Sequence, residues 1–242
     1  MMTGDYSVPI LAGDGDTDYA RYMRTDMLLS LQREPAEMAH PDELLFQILH
    51  QSTELWLKLA CFDARQAAEL IAAGRLDAAA RLLARGSLAV SLVTEQLEIL
   101  KYLGPWTFQT IRTVLGHGSG FESPGWVNAR QTGQLLAQAF ADLLARSNAS
   151  LTAVYQGDPD TPLYRLAEAL VEWDERIALW RARHYKAATR IIGHDVIGTK
   201  GTQVDTLARL IQHKFFPELW QVRTTLSKIG PMACNEEGGD DE

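Results

Sequence analysis

The sequence contains very little cysteine, with two residues in 242, Cys61 and Cys234, and no CxxC pair around either. Such a chain forms no disulfide framework and lacks the clustered thiolates of a zinc or iron–sulfur site. Long apolar runs are also missing, because charged residues interrupt each apolar stretch, and this excludes a membrane-spanning helix. The N-terminal MMTGDYSVPILAGDGDTDY is acidic and has no signal-peptide pattern. These features predict a cytoplasmic protein.

A basic surface is absent as well. The net charge is −8, and five of the acidic residues lie in the C-terminal NEEGGDDE, which leaves −3 on the remainder. A body this close to neutral, without a basic stripe, argues against nucleic-acid binding and favours small molecules or further copies of the chain as partners. We predict a flexible N-terminus over residues 1–16 and a disordered acidic tail over residues 231–242.

No stretch alternates apolar and polar residues as a half-buried strand does, and the apolar residues recur at helical spacing instead. The first long helix is predicted to end at Gly74. A second, with a bend at Gly86, is predicted to run to Gly104, and the last helix is predicted to continue through a bend at Pro217. The pattern predicts an all-α bundle of long helices in a single domain over residues 17–230.

Two histidines lie on the apolar faces of these helices. His184 follows Trp180 by four residues and shares its stripe with Ile177, and His50 follows Phe46 by four residues on the first long helix. An inward-facing imidazole needs a polar partner or a metal. The residues alone leave two interpretations open: a pair that binds a metal or haem between helices, or two structural histidines that hydrogen-bond to backbone carbonyls.

One arginine has mostly apolar neighbours. Arg112, in GPWTFQTIRTVLG, carries a guanidinium that needs an anion, either the carboxylate of a ligand or an acidic side chain of the bundle. Ser119 and Gly120 follow in a loop of small residues. The segment GHDVIGTKGTQ, after the His184 helix, is typical of a loop that covers a pocket and offers a hydroxyl.

Four segments, in their order along the chain, resemble the tryptophan 2,3-dioxygenase family. They are TDYARYMRTDMLLSLQ, LLFQILHQSTELWLKL, FQTIRTVLGHGSGFES and RHYKAATRIIG. The resemblance extends over residues 17–230 and implies a bundle of long helices that encloses a b-type haem. It also implies an oxygenase that uses O2 to oxidise the indole C2–C3 bond of tryptophan, and a homo-oligomer built as a dimer of dimers.

The resemblance implies a role for each matching residue. His184 would be the protein ligand of the haem iron, and His50 the distal histidine beside the oxygen site and the indole N–H. Phe46 would pack on the indole ring, and Arg112 would bind the substrate carboxylate through two parallel hydrogen bonds. Further implied positions are Ser119 and Gly120 over the haem, and Tyr19, Tyr22 and Met23 in the pocket of a neighbouring subunit.

Two departures from the family pattern concern the substrate. Phe108 occupies a position where the family usually has tyrosine, so the substrate pocket lacks one hydroxyl. The family's GTGGSSG loop corresponds to GTKGTQV here, after the insertion HDVI, and Thr199 or alternatively Thr202 would contact the ammonium group and carboxylate of the substrate.

The expected activity is therefore dioxygenation of tryptophan, or of a substituted tryptophan, to an N-formylkynurenine-type product. A second hypothesis is a monooxygenase that converts tryptophan or β-methyltryptophan to a 2-oxindole in a natural-product pathway. A non-catalytic haem-binding sensor and a helical scaffold without haem are the remaining hypotheses. Tyrosine-hydroxylating relatives attach haem through an added His/Cys motif, for which neither cysteine has the setting.

Overall fold

A computed structural model describes residues 8–194, 196 and 206–231. Within them the chain forms ten α-helices, three 3₁₀ helices and no β-strand, so the predicted all-α class is confirmed. The α-helices are α1 Asp18–Met23, α2 Thr25–Leu29, α3 Glu43–Ala72, α4 Leu76–Glu95, α5 Pro105–Arg112, α6 Pro124–Ser147, α7 Leu151–Gln156, α8 Pro162–Ile192, α9 Thr206–Leu210 and α10 Pro217–Ile229. The 3₁₀ helices are Pro35–Glu37, Gln96–Tyr102 and Gly120–Glu122.

Four long helices, α3, α4, α6 and α8, form the bundle. Helix α3 packs against α4 and α6, and α4 packs against α8. Their buried apolar side chains form the main core, with Trp173, Phe140 and Leu83 among the largest members. None of the helices in the described ranges is both long and apolar enough to cross a membrane.

Gly86 allows α4 to approach α8 closely. A Cβ added at this residue would lie 3.0 Å from the ring of Trp173, which is closer than a real side chain tolerates without a shift of its neighbour. Helix α4 continues without interruption through Gly86. The glycine, from which the sequence predicted a bend, therefore serves the packing of the two helices.

Two predicted helix boundaries were wrong. The predicted second helix stops at Glu95, and Gln96–Tyr102 continues as a 3₁₀ helix. The predicted last helix consists of α9 and α10, and Pro217 begins α10 as its first residue. Proline suits this position because the first helical N–H has no partner within the helix, whereas a proline in mid-helix removes a hydrogen bond.

A second, smaller apolar cluster lies where α5 and the 3₁₀ helix Gln96–Tyr102 pack against α8. We call it the site cluster, and its buried members are Leu49, Leu97, Leu100, Leu103, Ile111, Ala187 and Ile191. Phe46, Phe108 and Trp180 pack against it and remain partly exposed. The residue pairs Phe46–His50 and Trp180–His184 therefore place both histidines at the edge of this cluster.

Candidate active site

The two predicted histidines come together from α3 and α8. Burial lowers the pKa of His184 to about 4, and the nearby His50 lowers it further. Desolvation also lowers the pKa of His50, against the opposing effects of the Phe46 carbonyl and of Glu54. Both imidazoles are therefore neutral at neutral pH, and each has a nitrogen lone pair available.

His50 has one nitrogen engaged and one open. Its Nδ1 lies 2.7 Å from the backbone oxygen of Phe46. A carbonyl oxygen only accepts hydrogen bonds, so Nδ1 donates, and in the neutral ring Nε2 is the acceptor. The side chain remains accessible to solvent. The carbonyl-bonded interpretation thus holds for a single nitrogen of His50. Nε2 has no partner among the described residues and can accept a hydrogen bond from a ligand.

His184 has no hydrogen-bond partner among the described residues. None of their backbone carbonyls therefore holds it as a structural histidine. Its ring contact is with Trp180, whose indole lies 4.8 Å away between centroids with an interplanar angle of 8°. An unprotonated, partly buried imidazole without a protein partner is chemically suited to bind a metal through its lone pair.

A haem fits this donor set better than a bare metal ion does. A zinc site takes at least three protein ligands, and within residues 8–194, 196 and 206–231 no three His, Cys, Asp or Glu side chains cluster as a metal site. Haem brings its own four nitrogens to the iron and needs a single imidazole from the protein. The neutral imidazole of His184 has the lone pair that such a ligand requires.

Aromatic side chains line the approach to His50. The ring of Phe46 lies 4.2 Å from the His50 ring and 5.8 Å from the Phe108 ring, measured between centroids. Both phenylalanines are half-buried against the site cluster. Tilted rings at these distances form an apolar wall that suits an aromatic ligand.

Arg112 is the last residue of α5. Its Nη1 donates to Gln109 Oε1 at 3.3 Å, and the described residues supply no carboxylate within ion-pair distance of it. The internal salt bridge that the sequence left open is therefore not found among them. Most of the donors of the guanidinium remain available for an anion, as the predicted carboxylate role requires.

Ser119 and Gly120 lie at the start of the 3₁₀ helix Gly120–Glu122. The Ser119 side chain accepts from Phe121 N at 3.4 Å, and Ser119 N donates to Glu122 at 2.9 Å. A Cβ added to Gly120 would meet no atom within 4 Å, so internal packing does not require glycine here. The position of these residues over a haem stays a prediction.

The N-terminal residues of the predicted site are exposed. Tyr19, Tyr22 and Met23 retain 67%, 76% and 51% of their accessible surface, and α1 packs mainly on α2. Their contact with a neighbouring subunit stays a prediction. Thr199 and Thr202 lie outside the described residues.

The sequence did not predict a set of contacts that joins α3, α6 and α8 close to the two histidines. Glu54, one turn after His50, accepts from Ser123 Oγ and from Gly125 N at 2.5 and 2.7 Å. The ring of Trp126 then packs against that of Trp180, with centroids 3.7 Å apart and the planes tilted by 30°. Ser123 followed by Pro124 is a recognisable start of a helix, but its partner lies 69 positions away, beyond the range of local patterns.

Comparison with known proteins identifies the relatives of the chain. The tryptophan 2,3-dioxygenase family model matches residues 9–127. Tryptophan 2,3-dioxygenase of Bacillus cereus is 31% identical over 86% of this chain and 92% of its own length. The proteins of that name from Saccharopolyspora erythraea and from Xanthomonas campestris pv. campestris are each 31% identical, over 87% and 88% of this chain and 93% and 89% of their own lengths.

These matches define the class of the protein, an oxygen-using oxidoreductase built from α-helices. The chain belongs to the tryptophan 2,3-dioxygenase family.

Proposed function

We propose that the protein is a haem-dependent oxygenase that uses O2 to oxidise the indole C2–C3 position of L-tryptophan or a substituted tryptophan. The observation that carries the proposal is the pair of neutral imidazoles on α3 and α8. His184 has no hydrogen-bond partner among the described residues, and His50 has Nε2 open as an acceptor. Membership of the tryptophan 2,3-dioxygenase family supports it.

His184 would hold the haem iron, and the bound haem supplies the activation of dioxygen. Protons compete for the imidazole lone pair only below the pKa of His184, which is about 4. The ligand is therefore available over the whole neutral range. The stack on Trp180 limits the rotation of the imidazole, so the lone pair is held in one direction.

His50 and the aromatic wall would orient the indole. Nε2 of His50 accepts a hydrogen bond from the indole N–H, because the bond from Nδ1 to the Phe46 carbonyl leaves Nε2 unprotonated. Phe46 and Phe108 offer apolar surface to the faces and edges of the ring. Arg112 binds the carboxylate through its fork of donors. Binding energy from this remote group fixes the position of the reacting carbons.

The Phe46–Phe108 pair favours a second product. Both side chains are purely apolar. Compared with the tyrosine that the family usually has at this position, Phe108 lacks the hydroxyl and leaves more room in the pocket. A substituted tryptophan such as β-methyltryptophan, and insertion of a single oxygen atom to give a 2-oxindole in a natural-product pathway, are the alternative proposal. That reaction must reduce the second oxygen atom to water, so it needs a two-electron donor, which the assay must supply.

We also propose that the active form is a homo-oligomer, a dimer of dimers, in the cytoplasm. Tyr19, Tyr22 and Met23 expose apolar surface in the isolated chain. Each subunit would place these side chains in the pocket of its neighbour, which would exclude water from the substrate.

The decisive experiment combines a spectrum with a product mass. The purified protein is titrated with haemin and then incubated with tryptophan or β-methyltryptophan under labelled dioxygen, with and without a reductant. We expect a haem band that responds to these amino acids and a product that carries two labelled atoms. One labelled atom would support the monooxygenase. A haem spectrum that ignores both amino acids would support a sensor, and the absence of haem binding would overturn the proposal.

A further inference from the structure

The indole of Trp180 stacks on the imidazole of His184 from one turn earlier on α8. Their planes are 8° apart in angle and their centroids 4.8 Å apart. A metal-binding imidazole is usually oriented by a hydrogen bond from its second ring nitrogen to a carboxylate or carbonyl. His184 makes no such bond within the described part of the chain. The stacked indole is the contact that restricts the rotation of the imidazole.

Trp180 is held in turn by a second indole. Trp126 of α6 lies 3.7 Å from it, with 30° between the ring planes. The Trp180 Nε1–H is buried and finds no hydrogen-bond partner among the described residues. A buried, unpaired N–H is unfavourable, so stacking and not hydrogen bonding holds this indole. A tryptophan in this place is explained by the span of its ring, which bridges Trp126 and His184.

Trp126 is anchored to the helix of His50. Ser123 Oγ accepts from Trp126 N at 3.2 Å and donates to Glu54, whose other oxygen accepts from Gly125 N. Gly125 has no room for a side chain, because an added Cβ would lie 2.7 Å from Glu54 Oε2 and 2.8 Å from Leu57. The N-terminus of α6 is therefore clamped to α3 one turn after His50.

We propose that Trp180 is a positioning residue that sets the ring plane of His184, and that Trp126 and Glu54 fix Trp180 relative to α3. The inference rests on the proposed function in one respect, namely that His184 binds the haem. The stack of Trp180 on His184 is present in the chain without haem. Because the ring plane decides how the lone pair meets the iron, disruption of the stack weakens haem binding without unfolding the bundle.

The haem-free protein tests the stack directly. A tryptophan ring stacked on an imidazole shifts the carbon-bound imidazole protons upfield. In a protein with labelled histidine, the His184 resonances are assigned among the six histidines by their absence from His184→Gln. We expect Trp180→Leu to move them downfield, towards the values of a free imidazole. Trp180→Phe retains a flat ring and should keep part of the upfield shift of the His184 protons. Trp126→Leu should reduce this upfield shift in part, because Trp180 loses the ring that packs against it.

Haem titration tests the consequence. Trp180→Leu should lower haem affinity about 10-fold or more, the lower end of the effect seen when an outer partner of a metal ligand is removed. Trp180→Phe should recover part of this affinity, and resonance Raman spectra should show a changed iron–imidazole stretch in the leucine variant. Trp173→Leu is the matched control, because Trp173 lies on the same helix but in the main core.

The outcomes separate the two proposals. If the wild-type protein binds no haem, the proposed function fails, while the resonances still decide whether the stack exists. Unchanged His184 resonances in Trp180→Leu would overturn the positioning role. An equal loss of haem affinity in Trp173→Leu at matched thermal stability would overturn it too, because general destabilisation would then explain both. If Trp180→Leu does not fold, Trp180→Phe and Trp126→Leu carry the same readouts.

Discussion

The main core and the site cluster treat their charged and titratable groups differently. In the main core, Asp63 forms two hydrogen bonds with Arg85 at 2.5 and 2.6 Å. Buried Asp174 accepts from the backbone of Phe215 and Phe216 and from Trp220 Nε1. At the site cluster, His184 has no hydrogen bond and Arg112 no ion pair within the described ranges. These two buried carboxylates of the main core are paired within the fold, whereas the site holds an imidazole and a guanidinium that could still bind a ligand.

The difference indicates where a ligand would bind. A buried carboxylate without partners would destabilise the fold, so the main core supplies partners from its own helices. An imidazole with a lowered pKa avoids that cost because it stays neutral, and Arg112 keeps contact with solvent. The site cluster can therefore hold unpaired groups in place at modest cost, and changes in the two regions should have separable effects.

The largest expected effect is that of His184→Ala. We expect this variant to lose stoichiometric haem binding and its Soret band, because it loses the single protein bond to iron in the proposed site. Helical content, measured by circular dichroism, should stay as in the wild type. The matched control is His213→Ala, an exposed histidine outside the site. A normal Soret band in His184→Ala would show that iron is bound elsewhere.

Asp174→Ala should break the main core and leave the site chemistry intact. Three donors lose their acceptor, and we expect the free energy of unfolding to fall by about 3–5 kcal/mol, the cost typical of breaking a buried charged network. Asp77→Ala is the control, since the Asp77–Arg165 pair is exposed and should contribute less than about 1 kcal/mol. Denaturant titration measures both. Haem bound per folded molecule should not change, and a selective loss of haem would contradict the separation of the two regions.

Arg112→Leu should weaken the binding of tryptophan-like amino acids by about 2–4 kcal/mol, the usual size for a lost charged hydrogen-bond pair. Affinity for 3-methylindole, which has no carboxylate, should hardly change. Arg112→Lys should rescue poorly, because an ammonium group cannot form two parallel bonds. Equal losses for both ligands, together with a lower melting temperature, would assign Arg112 a structural role instead. Arg130→Leu, on an exposed position of α6, is the control.

The haem-free protein should lose stability in acid through His184. The pKa of His184 is about 4 in the folded chain, against an ordinary value of 6.5. The unfolded chain binds the proton more tightly, so this contribution to stability is complete above pH 6.5 and is lost as the pH falls towards 4. Relative to His184→Gln, the wild type should lose about 2 kcal/mol of unfolding free energy between pH 7 and pH 5. Parallel pH dependences in denaturant titrations would refute this.

The smallest effect should come from His50→Ala. The variant should bind haem almost as the wild type does, because in the proposed site His184 and not His50 would hold the iron. Turnover should fall about tenfold or the product ratio should change, since the indole N–H loses the acceptor that orients it. Haem titration and product analysis measure the two quantities. If haem is lost to the same extent as in His184→Ala, the roles of the two histidines are reversed.

Much of the fold follows from local sequence patterns. The helical spacing of apolar residues predicted the all-α class, and the first long helix ends at Ala72, two residues before the predicted end at Gly74. Placing His184 on the Trp180 stripe also needed only the 3.6-residue period. The sequence did not predict that one helix ends at Glu95 or that another begins at Pro217. The 3₁₀ segment after Glu95 depends on packing, and so do the hydrogen bonds from the backbone of Phe215 and Phe216 to Asp174.

The sequence by itself placed Ile177, Trp180 and His184 on one inward stripe, because helix periodicity is a local property. His50, which was also predicted to face inward, remains exposed. The tertiary structure alone decided which polar side chains have partners. The Glu54 contact with Gly125 spans 71 positions, and Asp174 reaches Phe215 across 41, so neither can be inferred from neighbouring residues. The same holds for Nε2 of His50, which has no partner among the described residues, and for the guanidinium of Arg112, which has no ion pair among them. Whether a polar group is satisfied depends on which helices pack against it, and local spacing does not encode that.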